Sequence, residues 1–319
     1  MSSMDDLEKD NQLNKVDFSV IVCCYNSDIE KFKKTIISII KQKDVLFELI
    51  IADDASTNGY LQYAIQWLDN SNIKYRLSVL NQNRGTVINA LTAMHLAKAK
   101  YIKLISPGDY FFDEYSLSQY LNALKENNAK VVFSRAVYYT QEGKLLNLSN
   151  PINTKAYISS QKATKFVTKY VDNILGAALA YEKNNAIECL EAIKGKSRLI
   201  EDQPIVLQSA LKGEMIYPIN QYLIWYEYGS GVTTQGGNAQ CFADDRNIEK
   251  FIRENYHSGR AKNILKARKI LLITNKFKKR IIAFFSYFSL FLYLISSRWH
   301  KCKLPGSIAF QDIKKITEL

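Results

Sequence analysis

The chain has 319 residues, 47% apolar and 23% charged, which suffices for a full core and excludes wholesale disorder. Its five cysteines (Cys23, Cys24, Cys189, Cys241, Cys302) are odd in number and lack a C-x-x-C pair, which argues against a disulfide framework or a zinc site. The net charge is +12, yet residues 255–311 hold twelve Lys or Arg and no Asp or Glu, so a neutral body carries a cationic tail. Such a tail points to a polyanion, either membrane phosphate or nucleic acid.

Residues 1–16 read as a disordered leader. They lack the basic start and apolar run of a secretory signal, so the folded part is expected in the cytoplasm. Residues 18–24 (FSVIVCC) form a short apolar run rich in β-branched residues, as expected of a strand buried on both faces. Residues 29–42 carry Phe32, Ile36, Ile39 and Ile40 at helical spacing. A second strand over 46–52 stops at Asp53 and Asp54, and Ser56, Thr57 and Asn58 offer capping chemistry for a helix through Leu68. Then follow a strand (74–80), a helix (87–97), a strand (101–105) ending at Ser106-Pro107-Gly108, a helix (116–127) and a strand (131–139).

This alternation predicts an α/β fold with a mainly parallel sheet and helices on both faces. Ligands of such sheets bind outside the carboxyl ends of the strands. Polar clusters fall there: Tyr25-Asn26, Asp53-Asp54, Asn83-Arg84-Gly85 and Asp109. Each alone is ordinary turn chemistry, but four at one rim point to a site. His95, His257 and His300 are too scattered to suggest a ligand set.

The succession FSVIVCCYN, ELIIADDAST, NQNRGTVINALTAM, YIKLISPGDY and LIEDQPIVL resembles the bacterial inverting glycosyltransferases of family two, of the GT-A fold and surface-polysaccharide type. The resemblance spans about residues 17–235. It implies a sugar-nucleotide donor, usually a UDP-sugar, a divalent Mg or Mn ion, and inversion at the anomeric carbon. By that resemblance Tyr25 and Asn26 bind the base, Asp53 and Asp54 contact base and ribose, and Asn83, Arg84, Gly85 and Asn89 approach the donor. Carboxylates can accept uracil N–H and ribose hydroxyls, and an aromatic ring can stack on the base.

The metal motif departs from the family pattern. Where the family has Asp-x-Asp, this chain has Ser106-Pro107-Gly108-Asp109, leaving one carboxylate. Asp109 is the expected metal ligand, with Asp113 or Glu114 nearby; the alternative is a turn aspartate. Glu201-Asp202 matches the acidic pair that carries the catalytic base. Asp202 is the closer match, with Glu201 supporting it or binding acceptor, and helix capping ahead of Gln203-Pro204 is the alternative role. A further strand is predicted over 217–228, followed by a polar loop in which Ser230, Thr233 and Thr234 are weak candidates for phosphate contacts.

The catalytic domain is expected over 17–240 and a basic helical extension over 241–319. Within the extension, residues 281–297 are seventeen residues without charge, flanked on both sides by Lys and Arg. A spanning helix needs about 20, and cations on both flanks disfavour a crossing. An interfacial or re-entrant helix on anionic lipid, using residues 260–303, fits better; a span, and a helix packed on the domain or on a second copy, are the alternatives. Nucleic acid fits poorly, because bases need separated aromatics in a polar groove. A peripheral enzyme at the cytoplasmic face of the plasma membrane, acting on a glycan or lipid-linked glycan acceptor, is the expectation. A dinucleotide-binding dehydrogenase is disfavoured because CCYNSDIEK has no glycine. A non-catalytic sugar-nucleotide- or glycan-binding relative is the other rival, kept open by the thinned metal motif.

Overall fold

The computed structural model describes residues 16–151, 153–229, 231, 239–296 and 304–318. Four strands, β1 (Phe18–Cys24), β2 (Phe47–Asp53), β3 (Arg76–Val79) and β4 (Tyr101–Ile105), pair in parallel in the order β3-β2-β1-β4. Helices α1 (Ile29–Ile40), α2 (Tyr60–Asn70) and α3 (Thr86–Leu96) connect them. The apolar runs that predicted β1 and β2 are buried because helices cover both sheet faces: Val20 and Val22 pack with Phe32, Ile36 and Ile39 of α1, and Ile21 with Val87, Ala90 and Met94 of α3.

Beyond β4 the sheet is mixed. After β5 (Tyr110–Phe111) and helix α4 (Ser116–Glu126), strand β6 (Val131–Tyr139) lies two places from β4. Between them sits β8 (Leu179–Glu182), antiparallel to both. Strand β9 (Ile216–Glu227) runs parallel to β6 with register shifts at Ser134 and Arg135, and β5 pairs antiparallel with β9. A short β7 (Leu145–Leu146) pairs with β6. Helix α5 (Ser160–Tyr170) precedes β8, and α6 (Lys183–Ile193) and α7 (Asp202–Lys212) follow it. The fold is GT-A-like, a mixed α/β sheet with helices on its faces.

The helix after β2 begins at Tyr60, later than the Ser-Thr-Asn run predicted to cap it. Its N-cap is Gly59, in the left-handed region without a side-chain cap. Ser56 is drawn away by Asp53, which accepts from both its N–H (2.8 Å) and its hydroxyl (2.6 Å).

After β9 come helices α8 (Ala239–Asn255), α9 (Gly259–Leu271), α10 (Lys276–Ser286) and α11 (Phe288–Ser296), and finally α12 (Asp312–Thr317). Ile248, Phe251 and Ile252 of α8 and Ala261 and Ile264 of α9 belong to the same buried cluster as Ile21 and Ile50, so the core runs across position 240. The uncharged run is two helices, broken at Tyr287 (φ −150°, ψ 68°), and among the described residues no helix is long and apolar enough to cross a membrane. One side of this pair rests on the body: Tyr293 stacks on Tyr170 of α5 at 4.6 Å, and Ala283 and Leu290 pack with Phe166. The other side is open, with Phe277 75% and Phe285 81% exposed. Arg298, His300, Lys301, Cys302 and Lys303 lie outside the described residues, as do Ser230, Thr233 and Thr234.

Candidate active site

A cleft of ≈ 420 Å³ opens at the carboxyl ends of β1 and β4. Of the residues predicted for the site, Tyr25, Asn26, Asp54, Asn89, Asp109, Glu201 and Asp202 line it together. Asp53, Asn83, Arg84 and Gly85 do not.

The turn residues mostly hold one another. Asn26, at φ 46°, accepts from the N–H of Thr57 (2.7 Å) and of Asn58 (3.2 Å) through Oδ1, which ties the loop after β1 to the loop after β2. Asp53 accepts from Ser56 and from the Tyr60 hydroxyl (3.0 Å), bonds that tie it to its own loop. Asp54 reaches across to the loop after β3, accepting from Arg84 N–H (2.7 Å) and Gly85 N–H (2.8 Å). Burial pushes its carboxyl above the ordinary value, and those two N–H groups pull it back. Gly85, at φ 87°, has no room for a Cβ, because Arg198 lies against it. Asn83 accepts from the Arg198 guanidinium, and Arg84 is exposed outside the cleft. Asn89 donates to Ala52 O (3.0 Å) from the first turn of α3. Tyr25 is half exposed at the mouth, its ring available for stacking.

The floor holds charge out of water. Lys103 in β4 is fully buried, donating to Leu104 O (2.7 Å) and Ala177 O (2.6 Å). Desolvation pushes it down to about 7, and desolvation pushes the neighbouring Asp109 up to about 7. The Asp109 carboxylate points inward, accepting from Glu227 N–H (3.2 Å). Thr35 of α1 fixes this turn, donating to Asp109 O (3.0 Å) and accepting from Gly108 N–H (3.1 Å). Asp113 and Glu114 do not line the cleft: Asp113 accepts from Tyr115 N–H and the Ser116 hydroxyl in the turn before α4, and Glu114 pairs with Lys43 at the surface.

Glu201 and Asp202 stand at the start of α7. Burial, and then repulsion from Asp202, raises Glu201 to about 8, and burial raises Asp202 as well. Asp202 accepts from Gln203 N–H (2.6 Å) and lies against Gly176, where a Cβ would come within 2.7 Å of Oδ2. Gly176 opens the 3-10 turn Gly176–Ala178 ahead of β8, so the strand unread in the sequence delivers a neighbour of the acidic pair.

Sequence reasoning also missed Lys31, Thr86 and Tyr226 in the lining, and Asp244 behind it. Asp244, fully buried on α8, accepts from the N–H groups of Arg198 (2.9 Å), Leu199 (2.6 Å) and Ile200 (3.3 Å), the segment that leads into Glu201. Nothing in a lone helical aspartate signals that role. Asp244→Ala leaves those N–H groups without their acceptor. We expect it to cost about 3 kcal/mol of stability and to lower turnover at least about tenfold; thermal melting with initial rates checks both.

A family model described as glycosyl transferase family 2 matches residues 19–187, more than half of the chain. The chain belongs to this glycosyltransferase family. The match ends before Glu201. Among solved structures, S. aureus TarS residues 1–349 in complex with UDP-GlcNAc is 16% identical at TM-score 0.58, covering 95% of this chain and 90% of that one. The Pyrobaculum calidifontis mannosyltransferase PcManGT, in complex with GDP-Man and Mn2+, is 14% identical at TM-score 0.53, covering 89% and 86%. Identities this low show a shared fold. No curated protein matches the chain.

For a divalent ion the residues present fit badly. Such an ion takes six or more oxygens, usually including one or two carboxylates. Ser106 and Gly108 stand where the family motif has aspartates, the Asp109 carboxylate is turned to Glu227 N–H, and among the described residues no group of three or more His, Cys, Asp or Glu is placed to hold a metal.

Proposed function

We propose that this family 2 glycosyltransferase binds a nucleoside-diphosphate sugar, probed first as a UDP-sugar, in the cleft at the ends of β1 and β4, and transfers the sugar with inversion. The observation that carries the reading is the convergence of Tyr25, Asn26, Asp54, Asp109, Glu201 and Asp202 on that one cleft. Tyr25 stacks on the base, while Asn26 and Asp54 hold the loops that frame it. Asp202 takes the proton from the acceptor hydroxyl as that oxygen attacks the anomeric carbon and the nucleoside diphosphate leaves, and Glu201, raised to about 8, shares its low-dielectric setting. The Gln203 N–H orients the Asp202 carboxylate for the transfer. The UDP-GlcNAc bound to S. aureus TarS supports a donor of this class. Proton NMR of a UDP-sugar panel incubated with the enzyme tests it: release of free sugar of inverted anomeric configuration is expected, and a retained configuration would exclude the mechanism. The second reading, a non-catalytic binder, is favoured by Ser106 and Gly108; it requires binding with no turnover on any donor.

The acceptor we propose is a glycan carried on lipid at an anionic membrane, at its cytoplasmic leaflet. Support comes from the cationic tail and from Phe284, Phe285 and Phe288, exposed together beside Lys276, Lys278, Lys279 and Arg280. Cutting the chain at 255 would open the core that α9 closes, so side-chain changes are the cleaner test. Changing all three Phe to Ser should lower partitioning onto phosphatidylglycerol vesicles by at least about tenfold. Equal flotation of native and variant proteins would remove the membrane reading.

A further inference from the structure

We propose that a fixed ammonium, that of Lys31, meets the donor diphosphate at the place where the family motif would hold a divalent ion. This rests on the donor reading of the cleft. The turn after β4 passes through Gly108. Its N–H is held by Thr35 and its carbonyl by the Tyr139 hydroxyl, so the backbone is fixed, at φ 104°. A Cβ built there would lie 2.5 Å from Glu227 Oε2 and 3.6 Å from Lys31 Cδ. The volume in which an aspartate at 108 would project is therefore filled by side chains from β9 and α1. Those two form an ion pair, Lys31 Nζ to Glu227 Oε1 at 2.7 Å, with Glu227 2% and Lys31 30% exposed. The carboxylate is the buried partner, and Lys31 is the one of the two that lines the cleft.

The substitution is consistent in its chemistry. A leaving diphosphate needs positive charge that is already oriented, and a lysine held by a buried carboxylate supplies it without reorganisation. A divalent ion would have to break the pair and take Glu227 for itself. Glycine at 108 is what leaves room for Glu227, since a Cβ there would lie 2.5 Å from its Oε2.

The test is calorimetric titration of UDP and of GDP into the full chain, in EDTA and in Mn2+. Affinity should agree within about twofold between the two conditions. Lys31→Met should weaken binding at least about tenfold, and Lys31→Arg should recover most of it. Binding that requires Mn2+, or that survives Lys31→Met unchanged, would overturn the assignment while leaving the donor site in place. Failure of both nucleotides to bind in either condition would overturn the donor reading and this inference with it.

Discussion

Asp202→Asn should lower turnover of a bound sugar nucleotide by about 10²–10⁴-fold while leaving donor affinity unchanged. The amide keeps the shape of the carboxylate and can still accept from Gln203 N–H, but it cannot take a proton. The pH dependence gives a second signature. Burial raises both carboxyls of the pair from their ordinary values, Glu201 to about 8. A base works only when unprotonated, so native kcat/KM should rise with pH above the ordinary aspartate range and then level off. In Asp202→Asn that ascending limb should vanish along with the rate. A variant that keeps the limb would assign it, and the base, to Glu201 instead.

Asp54→Asn is expected to raise the dissociation constant for UDP more than tenfold and to lower the melting temperature, with kcat for saturated enzyme far less affected than for Asp202→Asn. Asp54 accepts two backbone N–H groups, from Arg84 and Gly85, in a buried setting. Asparagine has one acceptor oxygen and turns an NH₂ toward the other N–H. Losing one charge-assisted bond, and the charge on the other, costs about 3 kcal/mol. That cost appears in loop placement, because the clamp sets where α3 begins and hence where Thr86 and Asn89 meet the cleft. Calorimetry and thermal melting on the same preparation separate the two effects. Unchanged affinity with a lowered melting temperature would make Asp54 a purely structural residue.

The two variants divide the site as the sequence did not. Parallel strands buried on both faces produce uninterrupted apolar β-branched runs, so β1, β2 and β4 were legible almost to the residue. The four residues of β8 are too few to show a period, so the strand that splits β4 from β6 was invisible. The rim aspartates and asparagines were legible as a cluster but not as roles. The same letters that bind a donor also bind turns, and only the hydrogen bonds show that Asp53 and Asn26 serve the chain itself. Nothing in YIKLI marks Lys103, and nothing in the helical pattern of 29–42 marks Lys31, as part of a site. Their meaning depends on Asp109 and Glu227, the latter 196 residues from Lys31 in the chain. Asp244 shows the same limit: its acceptors' partners at 198–200 are brought to it by tertiary packing of α8, which no local pattern encodes.

In the proposed mechanism, deprotonating the acceptor depends on Asp202, held by Gln203 N–H and lying against Gly176 rather than on the Ser106–Asp109 turn. Thinning one side of the cleft leaves the other side's chemistry complete.

The central claim is that one cleft both holds the donor and supplies the base. Titration of UDP into native, Asp54→Asn and Asp202→Asn proteins, paired with hydrolysis rates of the donor on the same three, tests it most directly. The account predicts binding by native and Asp202→Asn alike, weakened binding by Asp54→Asn, and turnover lost only with the base. Native protein that binds no nucleotide, or Asp202→Asn that hydrolyses donor at the native rate, would contradict it.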